Sequence, residues 1–279
     1  MATPTPSPTL ISSLLDLLVF ISSIPPSGTL YLDLEGKSLS RNGTLSLITV
    51  LIHPTRVISL IDVQTLGNSA FTTSSANGKT LKTILEDPHI PKCLWDVRND
   101  ADALCAHYQV RLKGVTDIQL LENASRAGGK TYVRGLDACV EKDLGLKVME
   151  VHRWIKTKRE VKALIPNDIF TRRPLDAKTI QYCVNDVVHL PALHNIYAKR
   201  IDSRWMKKVM DESARRIVDA CGPLYEPQSE TKKLGPWGSG TDAMQQDIFE
   251  YGNYDDLDDY PINSKDAAWD DTFDSCWEK

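Results

Sequence analysis

Three apolar runs near the start of the chain predict β-strands. They are TLYLDLEG at 29–36, TLSLITVLI at 44–52 and RVISLIDV at 56–63. The segments between them, KSLSRNG and HPT, are rich in turn residues and short enough for hairpins. The pattern therefore predicts a sheet that begins with three antiparallel strands.

After residue 78, the spacing of apolar residues alternates between the period of a helix and that of a strand. Helices are predicted in KTLKTILED, DADALCAHYQ and GLDACVEKDLGL, and strands in KCLWDV and GVTDIQLL. The basic stretch 147–172 is predicted to be irregular. A long helix is predicted over 175–201, with a kink at Pro191. Strands that alternate with helices predict an α/β domain, with parallel strands after the antiparallel start and helices on its faces.

The two ends of the chain differ from this body. Apolar residues at helical spacing predict an amphipathic N-terminal helix within 1–27, packed on the domain, with a stripe of Leu10, Leu14, Leu17, Leu18 and Ile21. A signal peptide is the alternative, but no Lys or Arg precedes this run, and it is shorter than the ~20 residues of a membrane span. No membrane partner is therefore expected. Residues 28–220 are the predicted domain, and 221–279 a Pro/Gly/Ser-rich linker with an acidic, largely disordered tail.

Composition and charge narrow the class of protein. The chain is 42% hydrophobic and 25% charged, as is usual for soluble globular proteins. Its six cysteines form no CxxC pair, which predicts reduced thiols in an intracellular protein, cytoplasmic or nuclear. Residues 241–279 carry twelve acids and two lysines, so the net charge of −4 leaves +6 on the other 240 residues. This asymmetry is typical of proteins that handle nucleic acid, although many acidic tails only aid solubility.

Two carboxylates interrupt the first predicted strand. Asp33 and Glu35 project to one face of that strand, while its leucines project to the other. Positions two apart on a strand are separated by about 7 Å, so the two acids are close enough to share a cation. A solvated edge strand is the alternative explanation.

Further acids occur at two later positions. Tyr182 and Asp186 are four residues apart on the late helix and therefore share a face. Asp100 opens the helix after KCLWDV. Each position also has an ordinary explanation, since Tyr182 and Asp186 could lie at the rim of a core helix and Asp100 could simply cap its helix.

Taken in order, these residues resemble the motifs of the DEDDy 3′–5′ exonucleases, the RNase D-like group. The motifs are D-x-E on the first strand, a central Asp, and Y-x-x-x-D on a late helix, here LDLEG, WDVRNDADAL and YCVND. The resemblance covers about 28–201 and is closest to the egalitarian-type branch, in which DLEG and RND occur together. Asp100 is preferred to Asp96 and Asp102 because the family's acid lies at the start of this helix. Phe170 stands where many relatives carry Trp, a difference in packing.

The resemblance implies a ribonuclease H-like fold and hydrolysis from the 3′ end of a nucleic acid. Four carboxylates would hold two divalent cations, Mg²⁺ or Mn²⁺, and Tyr182 would orient the attacking water. The implied partner is a single-stranded 3′ end of RNA or DNA. The metal-holding residues would be Asp33, Glu35, Asp100 and Asp186.

Basic residues near the motifs are candidate phosphate contacts, with solvated surface as the alternative for each: Lys37, Arg98, Lys156, Arg159 and Arg173. A catalytically silent nucleic-acid-binding adaptor is the alternative function. The enzyme is favoured because all four carboxylates and the tyrosine are present. The acidic tail could contact the basic cleft or a protein partner, or could only keep the chain soluble.

Overall fold

The computed structural model describes residues 7–238, so the predicted acidic tail lies outside the described residues. The first half of this range contains β1 (Thr9–Ile11), α1 (Leu14–Ser23), β2 (Thr29–Glu35), β3 (Leu47–His53), β4 (Val57–Asp62), α2 (Val63–Leu66), α3 (Ser69–Thr72), α4 (Leu81–Glu86), β5 (Lys92–Leu94) and α5 (Arg98–Tyr108). The second half contains β6 (Val115–Asp117), α6 (Ile118–Ser125), α7 (Leu136–Asp143), α8 (Val148–Leu164), α9 (Ala177–Val188), α10 (Leu190–Ala198) and α11 (Ser203–Ala220). Short 3₁₀ turns occupy Ile165–Asn167, Ile169–Thr171 and Glu230–Lys233.

The strands form one mixed sheet in the order β1-β4-β3-β2-β5-β6. β2, β3 and β4 pair antiparallel, whereas β5 pairs parallel with β2 and β6 parallel with β5. The predicted fold class, antiparallel strands first and then parallel strands flanked by helices, is confirmed. β1 adds a further parallel strand beside β4, at the edge of the sheet.

Each face of the sheet has its own hydrophobic core. Leu30, Leu32 and Leu34 of β2 are buried on the face that α1, α4 and α5 cover. Tyr31 is buried on the opposite face, with residues of α6, α9 and α10. Asp33 lies on this second face, because strand side chains alternate, and α9 packs against β2 and β3 there. The predicted division of β2 into an apolar face and an acidic face is therefore confirmed.

The N-terminal helix is shorter than predicted. Thr9–Ile11 form β1, and α1 begins only at Leu14, after Ser13 caps it by accepting a hydrogen bond from the Asp16 N–H at 3.2 Å. Leu10 and Leu14 of the predicted stripe are exposed, while Leu17 and Ile21 are buried. The serine cap stops helix propagation toward residue 10, which leaves the preceding residues free to pair with β4.

The basic stretch predicted to be irregular contains α8, a helix of 17 residues. Only Trp154 and Val161 of α8 are fully buried, so its apolar stripe is too sparse to show in the sequence. The long late helix is divided into α9 and α10 just before Pro191, as its predicted kink suggested. None of the helices among residues 7–238 has both the length and the apolar character needed to cross a membrane.

The predicted linker after Cys221 packs on the domain as far as the structure describes it. Lys232 donates from Nζ to Asn99 Oδ1 at 2.7 Å, and Leu234 forms an antiparallel bridge with Tyr132. Residues 222–238 therefore pack with the domain, and the boundary at residue 220 stays a prediction.

Candidate functional site

Three of the predicted carboxylates meet on the acidic face of β2. Asp33 and Glu35 come from the C-terminal end of β2, and Asp186 comes from α9. Each offers a carboxylate oxygen, and these three oxygens all lie within 4.8 Å of one another. The arrangement follows from local structure, since the strand period puts Asp33 and Glu35 on one face and α9 crosses that face.

The three carboxylates crowd one another in a buried setting. Burial, and then the charge of Asp186, raise the pKa of Asp33 to about 8, although Lys158 lowers it. Burial, and then Asp33 and Asp186, raise the pKa of Glu35 well above its usual value. The two raised pKa values mean that the cluster resists a full negative charge unless a cation is added.

A divalent cation fits this cluster. Asp33 Oδ2 is buried and has no hydrogen-bond partner among residues 7–238. A buried carboxylate oxygen without a partner is costly, and a bound cation would offset that cost. Carboxylate oxygens are the ligands that Mg²⁺ and Mn²⁺ prefer. The residues present therefore suit a hard divalent cation.

Asp100 lies beside this cluster rather than within it. It is the third residue of α5, and 7% of it is exposed. Burial, and then the charge of Asp33, raise its pKa well above the usual range. Asp100 also contributes to the raised pKa of Glu35. The four predicted carboxylates thus form one electrostatic unit, with three in close contact and Asp100 at one side.

Tyr182 adds a phenol to the same face of α9. It is buried against Phe170, with ring centroids 6.0 Å apart. Burial, and then Glu35, Asp186 and Asp33, raise the pKa of Tyr182. A raised pKa favours the protonated phenol, which can donate a hydrogen bond.

Lys158 of α8 places a positive charge against the carboxylate cluster, a contact that the sequence analysis did not predict. Its Nζ donates to Asp186 Oδ1 at 2.9 Å, and it lies 4.8 Å from the centre of the Trp154 ring. Trp154 in turn donates from Nε1 to the Asn185 carbonyl at 3.2 Å, which fixes α8 against α9. The four-residue spacing of Trp154 and Lys158 was the available signal, but it requires that the segment be recognised as a helix.

Burial alone lowers the pKa of Lys158, but the adjacent Asp186 carboxylate more than offsets this effect, so the pKa is raised overall. Lys158 therefore remains charged. It partly balances the negative charge of the carboxylate cluster.

The five predicted phosphate contacts differ in their surroundings. Arg98 donates to both carboxylate oxygens of Asp96, at 2.5 and 2.7 Å, and Arg173 binds Asp62 in the same way, with an Nε–Oδ2 distance of 2.6 Å. Both guanidinium groups are therefore engaged in ion pairs, and their role as phosphate contacts stays a prediction. Lys37 makes a surface ion pair with Asp168 at 2.9 Å.

Lys156 and Arg159 are exposed on the solvent face of α8. They are cations of the same helix that carries Lys158, and their role as phosphate contacts stays a prediction. Their exposure leaves them accessible to a polyanion.

The chain is similar to a known protein family and to several solved structures. Residues 9–219 match the family model described as 3′–5′ exonuclease. No curated protein sequence matches the chain. Many solved structures are also similar to it, and the three described below are 15–20% identical to the chain.

The crystal structure of Trypanosoma brucei RNase D in complex with GMP is 20% identical, with a TM-score of 0.67, over 82% of this chain and 69% of that one. Escherichia coli RNase D, an exoribonuclease involved in structured RNA processing, is 20% identical, with a TM-score of 0.58, over 78% of this chain and 52% of that one. Brucella melitensis NrnC with bound Mg²⁺ is 15% identical, with a TM-score of 0.51, over 77% of this chain and 89% of that one. These likenesses confirm the ribonuclease H-like fold.

Proposed function

This chain belongs to the 3′–5′ exonuclease family, and from that premise we propose that it hydrolyses phosphodiester bonds one by one from the 3′ end of a single-stranded nucleic acid. The observation that carries the proposal is the cluster of Asp33, Glu35 and Asp186, whose carboxylate oxygens lie within 4.8 Å. Asp100 and Tyr182 complete the DEDDy set of side chains on the same face of the molecule.

We infer that the site holds two divalent cations, Mg²⁺ or Mn²⁺. Four carboxylates match the charge of two dications, and the raised pKa values of Asp33, Glu35 and Asp100, caused by burial and by mutual repulsion, support the addition of positive charge. Asp33, Glu35 and Asp186 would hold one cation, and Asp100 with Asp33 would hold the other. Such ions, when bound, activate a water molecule and stabilise charge on the leaving oxygen.

The chain's own residues have separate tasks in this proposal. Tyr182 donates its phenolic proton in a hydrogen bond that orients the attacking water. Lys158 fixes the Asp186 carboxylate through its 2.9 Å contact and keeps a positive charge beside the reacting phosphate. Lys156 and Arg159, exposed one helical turn apart on α8, guide the phosphates of the incoming strand.

RNA is the first substrate class to test, because T. brucei RNase D, a structural neighbour, was solved in complex with RNA U12. A relation to the egalitarian-type branch, based on DLEG and RND, belongs to the same proposal. The five described cysteines are free thiols, which suits the predicted intracellular location. That location stays a prediction.

The test is an exonuclease assay on the full chain with Mn²⁺ and a single-stranded RNA labelled at its 5′ end. We expect stepwise shortening from the 3′ end with release of nucleoside monophosphates. Asp33→Asn should lower the rate by more than about 100-fold, because it removes a carboxylate from the centre of the cluster. The matched control is Asp211→Asn on α11, an acid whose side chain is 64% exposed and pairs only with Lys207 in the part of the chain that the structure describes.

Two results would contradict the enzyme. One is RNA binding without release of mononucleotides, the outcome expected of a silent adaptor. The other is release at an unchanged rate in Asp33→Asn, which would indicate a contaminating nuclease. A matched single-stranded DNA in the same assay would decide between the two substrate classes.

A further inference from the structure

Residues 222–238, named the strap from here on, contact the helix that carries Asp100. The match to the 3′–5′ exonuclease family model ends at residue 219, so the strap lies after the matched residues. The strap nevertheless packs on the domain. A segment outside the matched residues therefore touches an element of the catalytic cluster.

The strap is anchored at both ends. At its start, Arg41 donates from Nη2 to the Gly222 carbonyl at 2.7 Å. Near its end, the Gly235 N–H donates to the Thr131 carbonyl at 2.6 Å, and a side chain at Gly235 would place its Cβ 2.2 Å from the Lys130 carbonyl oxygen. Trp237 then packs edge-to-face on Trp205, with ring centroids 5.5 Å apart. These contacts fix the path of the strap between its two ends.

Between the anchors, the strap makes directed polar contacts with the first turn of α5. Tyr225 donates from its hydroxyl to Asn99 Oδ1 at 2.7 Å, and Lys232 donates from Nζ to the same oxygen at 2.7 Å. Arg98 donates from Nη2 to the Lys232 carbonyl at 2.9 Å. A cavity of about 770 Å³ lies between the strap and the C-terminal half of α11. The strap is therefore held by these polar contacts and its anchors more than by packing on α11.

These contacts bear on the catalytic cluster because Asn99 immediately precedes Asp100. Two donors to one side-chain oxygen restrict the rotation of Asn99, and they do so in the first turn of α5, where helices fray most readily. The strap thus supplies a geometric restraint on the residue beside Asp100.

We propose that the strap is a positioning element for Asp100. Tyr225 and Lys232 hold Asn99, Asn99 holds the first turn of α5, and that turn fixes the Asp100 carboxylate in the orientation that binds a divalent cation. The inference rests on the proposed function, in which Asp100 is a metal-holding residue. Tyr225 and Lys232 are positioning residues, since they act through Asn99 and do not contact the reacting atoms.

The test uses the full chain with the double substitution Tyr225→Phe and Lys232→Met, which removes both donors and keeps side-chain size. The matched control is Lys233→Met, at the next residue, whose side chain is 65% exposed and pairs with Glu230. Mn²⁺ binding to metal-depleted protein is measured by calorimetry without nucleic acid. Asp100→Asn identifies the binding event that depends on Asp100. We expect that event to weaken about 10-fold in the double variant and to be unchanged in Lys233→Met.

The kinetic readout separates positioning from general loss of structure. In the double variant kcat should fall about 10-fold while KM for RNA stays within a factor of two, and thermal unfolding should remain cooperative. If the double variant does not fold, the single substitutions Tyr225→Phe and Lys232→Met, each of which leaves one donor to Asn99, decide the question by the same Mn²⁺ titration.

Unchanged Mn²⁺ affinity in the folded variants would overturn the strap's role, whatever their activity. The two proposals fail separately. A wild-type chain that releases no mononucleotide refutes the exonuclease proposal, while weakened Mn²⁺ binding in the variants still supports the strap. A wild-type chain that degrades RNA, with variants that bind Mn²⁺ normally, refutes only the strap.

Discussion

At the scale of single residues, Lys158 offsets part of the negative charge of the carboxylate cluster. It is the positive group that contacts Asp186 directly, and the side chains of both residues are largely buried, at 13% and 7% exposed. Its charge also opposes the burial and the carboxylate repulsion that raise the pKa of Asp33. Removing the lysine would leave Asp186 without its partner in a poorly solvated place, which is more costly than losing an exposed ion pair.

Lys158→Gln tests this role. We expect the free energy of unfolding of the metal-free protein to fall by about 3 kcal/mol, because the substitution leaves a buried carboxylate unpaired. Added Mn²⁺ should stabilise the variant more than the wild type, since a bound cation replaces the missing charge. Urea unfolding with and without Mn²⁺ measures both effects. Lys156→Gln, on the exposed face of the same helix, is the control, and an equal Mn²⁺ effect in Lys158→Gln and wild type would contradict the account.

The site residues were predictable from the sequence where the period of a strand or a helix places two of them on a common face. The strand period gave Asp33 and Glu35 a common face, and the helical period did the same for Tyr182 and Asp186. The ion pairs of Lys37, Lys158 and Arg173 were not predictable, because their partners are distant in sequence. Arg173, for example, is 111 residues from Asp62, and only the folded sheet brings the two together.

At the scale of elements, one buried lysine joins β5 to α4. Lys92 is fully buried and donates from Nζ to two carbonyls at the end of α4, Ile84 at 3.1 Å and Asp87 at 2.6 Å. The last carbonyls of a helix lack partners within it, and a cation at that end is favourable. Burial lowers the pKa of Lys92 to about 8, although the charge of Asp87 acts in the opposite direction.

This lowered pKa predicts a pH dependence of stability. An unfolded lysine keeps a pKa of about 10.4. Between about pH 8 and 10, the unfolded chain binds a proton at Lys92 that the folded chain lacks. The contribution of Lys92 to the free energy of unfolding therefore rises with pH across this window, by up to about 3 kcal/mol.

Lys92→Met removes the titrating group and keeps the length of the side chain. Between pH 7.5 and pH 10, the free energy of unfolding of the wild type should rise relative to that of Lys92→Met. Urea unfolding of both proteins measures this difference. Other groups titrate equally in both proteins, so the difference isolates Lys92. The exposed Lys79→Met serves as the comparison. A difference that stays constant with pH would show that Lys92 is not held with a lowered pKa.

At this scale, strands were predicted where a run of mainly apolar residues was long enough to stand out from the turns beside it. β2, β3 and β4 met this condition. β1 has only three residues, and its partner β4 is about 50 residues away, so nothing local marks it as a strand. The buried face of α11 includes Ser213 and Arg216, which bond to Asp117, so polar residues share that face with apolar ones.

At the scale of the whole molecule, charge is divided unevenly along the chain. The net charge is −4, yet the 39 residues from 241 onward carry −10 and the rest carry +6. Lys156 and Arg159 are among the exposed cations of the described domain. A polyanionic substrate is attracted to the domain but is repelled by the acidic residues that follow it in sequence.

Ending the chain after Gly240 should therefore strengthen binding to single-stranded RNA at low salt. The expected gain is about threefold to tenfold at 50 mM salt, because the net charge changes from −4 to +6. The gain should vanish at high salt, where screening shortens the range of the repulsion. The measurement is RNA affinity as a function of salt, made in the Asp33→Asn background so that the RNA is not degraded.

A full-length chain with the twelve acids of 241–279 replaced by Asn and Gln separates charge from length. If charge is the cause, this neutral chain binds RNA like the shortened one at every salt concentration. If the neutral chain instead binds like the wild type while the shortened one binds more tightly, the segment obstructs RNA by its bulk. If all three proteins bind RNA with equal affinity at every salt concentration, the acidic residues serve only solubility. An electrostatic repulsion would depend on the salt concentration, because salt screens it.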